Sequence, residues 1–195
     1  MSTRDIVLIA LFAALMAALG AFPPLMIPAI AVPITAQSMG PMLAGGILGA
    51  KRGALSMLLF VALVAVGLPL LSGGRGGLAV FAGPTAGFIF GWIAAAAVTG
   101  ALVERFWRGL NFVTAFLAAT VGGIVVLYGI GIPWISLVGG VPLVTAAAGS
   151  AAFIPGDLIK AGLAAAAILM VKRAYPMIRP APDDQWQTAR PDDFD

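Results

Sequence analysis

Long apolar runs, parted by short breaks that carry charge, glycine or proline, organise this chain. The first runs from Ile6 to Gly20, follows Arg4 and Asp5, and is broken by Phe22-Pro23-Pro24. The second, about Ile34 to Ala50, ends at Lys51-Arg52; the third, about Gly53 to Leu70, ends near Pro69 and a glycine-rich loop at 71–77. The fourth covers about Val80 to Val103 and stops at Glu104-Arg105, with Arg108 close behind, and the fifth runs from about Phe112 to Ile132. The last apolar stretch reaches Val171 before Lys172-Arg173, but Pro133, Gly139, Gly140, Pro142, Gly149, Pro155 and Gly156 interrupt its first part. That pattern predicts a re-entrant or surface-lying segment over 133–156, then a final helix from near Gly156-Asp157. A spanning helix needs about 20 apolar residues, so the runs predict an all-α, polytopic membrane protein with six transmembrane helices. Six spans put Arg4, Lys51-Arg52, Arg105 with Arg108, and Lys172-Arg173 on one side. The positive-inside rule makes that side cytoplasmic, both termini with it; a seventh span would move Lys172-Arg173 outside.

Composition narrows the class further. Of 195 residues 61% are apolar and 10% charged, against about 25% charged in a soluble domain, which excludes a water-solvated globular protein. Five of the eight acids fall in the Pro-rich residues 176–195, which predicts a disordered cytoplasmic tail behind one membrane domain at 1–175. Residues 1–175 hold nine basic and three acidic residues, a net +6; this excess belongs to membrane loops and not to nucleic-acid binding. Cys and His are both absent, so no metal site and no cofactor are expected, and Ser–His, zinc and thiol chemistry are excluded. A single membrane Asp excludes an aspartyl dyad as well, so the chain is not expected to be an enzyme. The first run leads to no small-residue cleavage site and is not read as a signal peptide.

With the basic clusters and the tail set aside, three charged residues remain, Arg75, Asp157 and Lys160, all on the extracytoplasmic side of a six-span chain. Ionisable groups at membrane depth cost at least ~2.5–3.5 kcal/mol each and by default mark a functional site. Asp157 and Lys160 are three residues apart and share a helix face. The plain alternative is a self-satisfied pair, with Asp157 an ordinary helix cap and Arg75 at the lipid headgroups. Residues 21–34 hold no charge and four prolines, which predicts an apolar lid stiffened by proline, or a partly embedded connector. The loop Gly73-Gly74-Arg75-Gly76-Gly77 lets backbone approach a ligand closely, and matches neither the dinucleotide fingerprint nor the phosphate-loop spacing. Together these features suit a small, largely apolar ligand with a carboxylate and a few amide-like groups. Small residues four apart, as in Ala10/Ala14, Gly45/Gly49 and Gly83/Gly87/Gly91, let helix backbones meet in lipid; the first of these stripes is either packing or a docking face.

Four motifs bring a family into view: Val32-Pro-Ile-Thr35-Ala-Gln37; Gly67-Leu-Pro followed by Gly74-Arg75-Gly-Gly77; Gly83-Pro-Thr-Ala-Gly87-Phe-Ile-Phe-Gly91; and Pro155-Gly-Asp157-Leu-Ile-Lys160. In this order and spacing, up to about residue 175, the chain resembles the BioY family, the biotin-specific S components of energy-coupling factor (ECF) vitamin transporters. The resemblance implies the six-helix ECF S-component fold in the bacterial cell (inner) membrane and high-affinity capture of biotin from outside, beneath a first-loop lid. It implies as partners a transmembrane coupling subunit and a pair of ABC-type ATPases, docked through Ala10 and Ala14. Taken with the residues, it assigns Asp157 to the ureido N–H groups, Lys160 to the ureido oxygen and Arg75 to the valerate carboxylate. Thr35, Gln37 and Tyr128 are further polar contacts, or else caps and interface residues. Gly74 and Gly76 bring backbone to the ligand, and Phe22 and Met26 cover the fused rings. S components for thiamine or riboflavin share the architecture, and an aromatic-rich pocket is expected to mark them. A structural subunit without ligand leaves the three outer charges unexplained, and a channel should show polar rings along its spans.

Overall fold

The computed structural model describes residues 1–22 and 35–178. Of the expected lid at residues 21–34, the part from Pro23 to Ile34, Met26 included, lies outside the described residues, as does the chain beyond 178. What is described is helical, apart from turns and one isolated bridge between Leu71 and Arg75.

Helix α1 (Thr3–Gly20) opens on a reciprocal cap, in which the Asp5 N–H donates to Ser2 Oγ at 3.2 Å and the Ser2 N–H to Asp5 Oδ2 at 2.9 Å. The acid ahead of the first apolar run thus satisfies helix-end donors, and the helix starts three residues before Ile6. A single 3-10 turn, Ala36–Ser38, leads into α2 (Met39–Leu48), and Gly49 alone separates α2 from α3 (Ala50–Ala65). Gly49 has φ 87°, and a Cβ there would overlap the Glu104 carboxylate, so this tight junction requires glycine. Side chains close the break: Arg52 Nε donates to Leu48 O at 3.0 Å, and the Ala50 N–H donates to Glu104 Oε1 at 2.9 Å. Both bonds satisfy helix-end groups left open at the junction. Lys51 and Arg52 therefore sit in the first turn of α3, not in a loop after α2.

A 3-10 turn at Leu78–Ala82 takes in Val80, the expected start of the fourth span, and α4 proper is Ala86–Arg105. Then α5 (Phe112–Thr120), a π turn (Val121–Val126) and α6 (Leu127–Gly139) form one continuous rod of 28 residues. The rod passes through Pro133, which corrects the expected break there. Proline removes one amide donor, and neighbouring turns in a membrane helix absorb that loss. The rod ends where Gly140 turns left-handed at φ 66°, the usual glycine stop. Helix α7 (Leu143–Ala151) has only nine residues, so of 133–156 its second half alone fits a short surface segment. Helix α8 (Ile154–Ala174) carries Pro155 in its first turn, where a missing N–H costs nothing.

Four helical stretches are long and apolar enough to cross a membrane: Thr3–Gly20, Ala86–Arg105, Phe112–Gly139 and Ile154–Ala174. Helices α2 and α3 are shorter. At one end of the bundle Arg52 reaches Asp5 at 3.5 Å and the Met177 carbonyl at 2.7 Å. Arg4 lies over the Tyr175 ring there, and Lys172 Nζ donates to Trp107 O at 2.7 Å. The basic positions at the ends of the apolar runs therefore collect at one end. Ile178 is buried, so packing continues past the expected domain boundary at 175. Between the ends, Met16, Met42, Met57 and Phe60 fill the core. Glycines bring the helices close: a Cβ at Gly45 would overlap Ala96 O, one at Gly87 would overlap Trp134, and one at Gly100 would overlap the Ala50 nitrogen. Ala10 and Ala14 are instead exposed on the outer face of α1, beside Val7 and Leu11.

Candidate functional site

Away from Arg4, Arg52 and Lys172 lies a cavity of about 290 Å³. The 35–38 segment, the 71–75 loop, α4, α6 and the start of α8 line it. Its polar centre is Asp157, 4% exposed. Ser38 Oγ and Lys160 Nζ both donate to Asp157 Oδ1, at 3.0 and 2.9 Å, and the Tyr128 hydroxyl donates to Oδ2 at 2.5 Å. Lys160 Nζ also donates to Thr35 O and to Ser38 Oγ, each at 2.8 Å. The i, i+3 spacing on α8 puts the carboxylate and the ammonium side by side, and the pairing removes most of the cost of burying two charges. The Asp157 amide bonds Phe153 O at 2.9 Å as any helical amide does, while its carboxylate turns to Ser38 and Tyr128. Asp157 is therefore not a cap of its own helix.

Hydrogen-bond capacity limits what this cluster can still do. A carboxylate accepts about four bonds; three are in place, so Oδ2 retains an acceptor position. Lys160 has three N–H donors and all are engaged, so a ligand oxygen can reach it only by displacing one of its present acceptors. Ser38 relays between the two, accepting from Lys160 and donating to Asp157.

Arg75 also lines the cavity and is exposed. Its Nε donates to Ser72 O at 3.4 Å, and it makes no ion pair among the described residues. The loop under it is a tight turn: Leu71 N–H donates to Arg75 O at 3.0 Å, and Gly73 and Gly74 have φ of 81° and 70°. Gly74 and Gly76 are not among the cavity's described lining. Gly74 supplies the left-handed turn, and a Cβ at Gly76 would overlap Leu68 O. Both therefore shape the loop that carries Arg75. Phe22 is also elsewhere, 61% exposed on a separate groove that it shares with Ala17, Pro69 and Gly73. Gln37 reaches the cavity wall, but backbone groups occupy its amide: Nε2 donates to Met16 O (3.2 Å) and Leu70 O (3.0 Å), and Oε1 accepts from the Ser72 N–H (2.9 Å).

Sequence reasoning missed Ser38 and the aromatic walls Phe88, Trp92 and Phe153. Phe88 and Trp92 stand four apart on α4, inside the Gly83–Gly91 motif, and that spacing was the available signal. Phe88 meets the Tyr128 ring edge-on, with centroids 5.9 Å apart at 88°. This cavity thus combines aromatic walls with an Asp–Lys pair, two features the sequence reading had set against each other. Among the described residues no group of three or more His, Cys, Asp or Glu side chains could hold a metal ion.

A model of the BioY family matches residues 1–177. The chain belongs to the BioY family. Among its BioY relatives, a biotin transporter BioY from Rhizobium etli is 56% identical over 183 residues, 91% of this chain and 98% of that protein. A second, from Rhodobacter capsulatus, is 52% identical over 166 residues, 80% of this chain and 87% of that one. The BioY fold seen here is similar to the crystal structure of the S-component for biotin from an ECF-type ABC transporter. The TM-score is 0.83 at 32% identity, over 89% of this chain and 95% of the other. With transporter relatives and four spanning-length apolar helices, this is an all-helical membrane protein of the ECF S-component fold.

Proposed function

We propose that this protein is the biotin-binding S component of an ECF-type transporter, capturing biotin from outside the cell for uptake. The observation that carries the reading is the buried Asp157 carboxylate. Ser38, Tyr128 and Lys160 hold it, and it keeps an acceptor position at an aromatic-walled cavity. The ureido ring of biotin presents two N–H donors and one oxygen. A ureido N–H donates to Asp157 Oδ2 in a charge-assisted bond, and the Tyr128 hydroxyl, whose hydrogen points to the same oxygen, holds that carboxylate in place. Lys160 balances the charge of Asp157, and the ureido oxygen accepts from Lys160 in place of Ser38 Oγ. Thr35 contributes its carbonyl to Lys160. Phe88 and Trp92 lie against the fused rings, and Arg75 takes the valerate carboxylate. Phe22 and Met26 both belong to the proposed first-loop lid at residues 21–34.

The same reading gives the surroundings. Six spans cross the bacterial inner membrane, with the basic end, both termini and the tail cytoplasmic. Ala10 and Ala14, exposed on α1, form the face that meets the transmembrane coupling subunit, which works with a pair of ABC-type ATPases. Calorimetric titration of the detergent-purified protein with biotin, with thiamine and riboflavin as controls, tests the proposal. Tight binding of biotin alone is expected; a folded sample that ignores biotin, or that binds a control vitamin as well, overturns it.

A further inference from the structure

Gln37 is 1% exposed and joins three separate parts of the chain through one amide. Nε2 donates to Met16 O on α1 and to Leu70 O ahead of the glycine loop, and Oε1 accepts from the Ser72 N–H inside that loop. The joint is tight, since a Cβ on Gly20 would overlap both Leu70 O and the Gln37 amide nitrogen. Its sequence neighbours belong to the other half of the site: Thr35 O and Ser38 Oγ are the acceptors that hold Lys160 beside Asp157. On the loop side, Ser72 O accepts from Arg75 Nε. One side chain therefore ties the turn that holds the buried ion pair to the loop that carries Arg75. Only an amide has the two donors and the acceptor this needs. A carboxylate would face two carbonyl oxygens, and an aliphatic side chain would leave three buried backbone groups without a partner.

We infer that Gln37 is a positioning residue for ligand recognition: it sets the Arg75 loop relative to the Asp157–Lys160 cluster, so that both engage one ligand molecule, without itself touching that ligand. The inference rests on the reading of Arg75 as the partner of the valerate carboxylate.

The test compares Gln37→Leu and Gln37→Glu with the unaltered chain. One measurement is the affinity for biotin and for biotinol, in which an alcohol replaces the carboxylate. The other is hydrogen exchange at amides 71–75 in the ligand-free, detergent-purified protein. Exchange at 71–75 should rise in both variants. Biotin affinity should fall about tenfold, the scale of a lost hydrogen bond to or near a charged group, while biotinol affinity changes little, so that the preference for biotin shrinks. Unchanged exchange at 71–75, or equal losses for both ligands, overturns the inference. Where Gln37→Leu fails to fold, Gln37→Glu carries the test, because it keeps the acceptor for the Ser72 N–H. Arg75→Ala checks the underlying reading separately: it should abolish the preference for biotin over biotinol. If that preference survives, the role of Arg75 falls, and exchange at 71–75 still decides whether Gln37 positions the loop.

Discussion

At Asp157 the demands of burial and of recognition meet in one side chain. A carboxylate 4% exposed is stable in this bundle because Ser38, Lys160 and Tyr128 all donate to it, and the same arrangement leaves one acceptor position facing the cavity. Asp157→Asn should weaken biotin binding about 10- to 100-fold, since a hydrogen bond to a charged group contributes about 1.5–3 kcal/mol. Calorimetry reads this directly, and unchanged affinity would remove Asp157 from the site. Tyr128→Phe takes one of the three donors from the buried carboxylate and should lower stability by about 1.5–3 kcal/mol. A thermal melt in detergent measures that loss, and an unshifted melt would mean that the hydroxyl is replaceable by water. The Asp–Lys pair was legible as two charges three apart in an apolar run. Ser38 was not, because a serine gains this role only when α8 lies beside it.

Among the elements, the α5–α6 rod departs most from what its residues suggest. Its π turn, Val121–Val126, holds one residue more than an α turn of the same height. That extra residue rotates everything downstream by about 100°, and Leu127 and Tyr128, both on the cavity wall, follow directly after it. The turn passes close to α4: a Cβ on Gly122 would overlap Thr99 Oγ1 and lie 2.6 Å from Ala95 O. Gly122→Ala should therefore push the rod from α4 and destabilise the protein by about 1–3 kcal/mol, as overpacking does. It should also loosen the Tyr128–Asp157 contact. Thermal melting with and without biotin reads both effects, and a variant that melts and binds as the unaltered chain does would show that the crossing can yield. Nothing in Val-Gly-Gly-Ile-Val-Val announces a π turn, because its hydrogen-bond register is settled by the fit against α4. Pro133 misled for a related reason: a lone proline reads as a stop, but a rod packed along its length continues through it.

Across the whole molecule, the cavity and the cluster of Arg4, Arg52 and Lys172 sit apart. Single cysteines can report the orientation against a clean background, because the chain has no Cys of its own. Leu78→Cys, at a site 75% exposed near the cavity end, should react with a membrane-impermeant thiol reagent on intact cells. Lys51→Cys should react only after permeabilisation, and the reverse pattern would overturn the proposed topology. The sequence by itself determined the membrane class and singled out the Asp157–Lys160 pair that lines the cavity. Hydropathy and uncompensated charge are local properties, and lipid penalises them wherever the chain lies. Only the tertiary structure decided that Gln37 serves the backbone, that Gly74 and Gly76 shape a loop, and that Ser38, Phe88 and Trp92 face the cavity. Those roles depend on which donors, acceptors and ring faces remain free once helices distant in sequence are packed together.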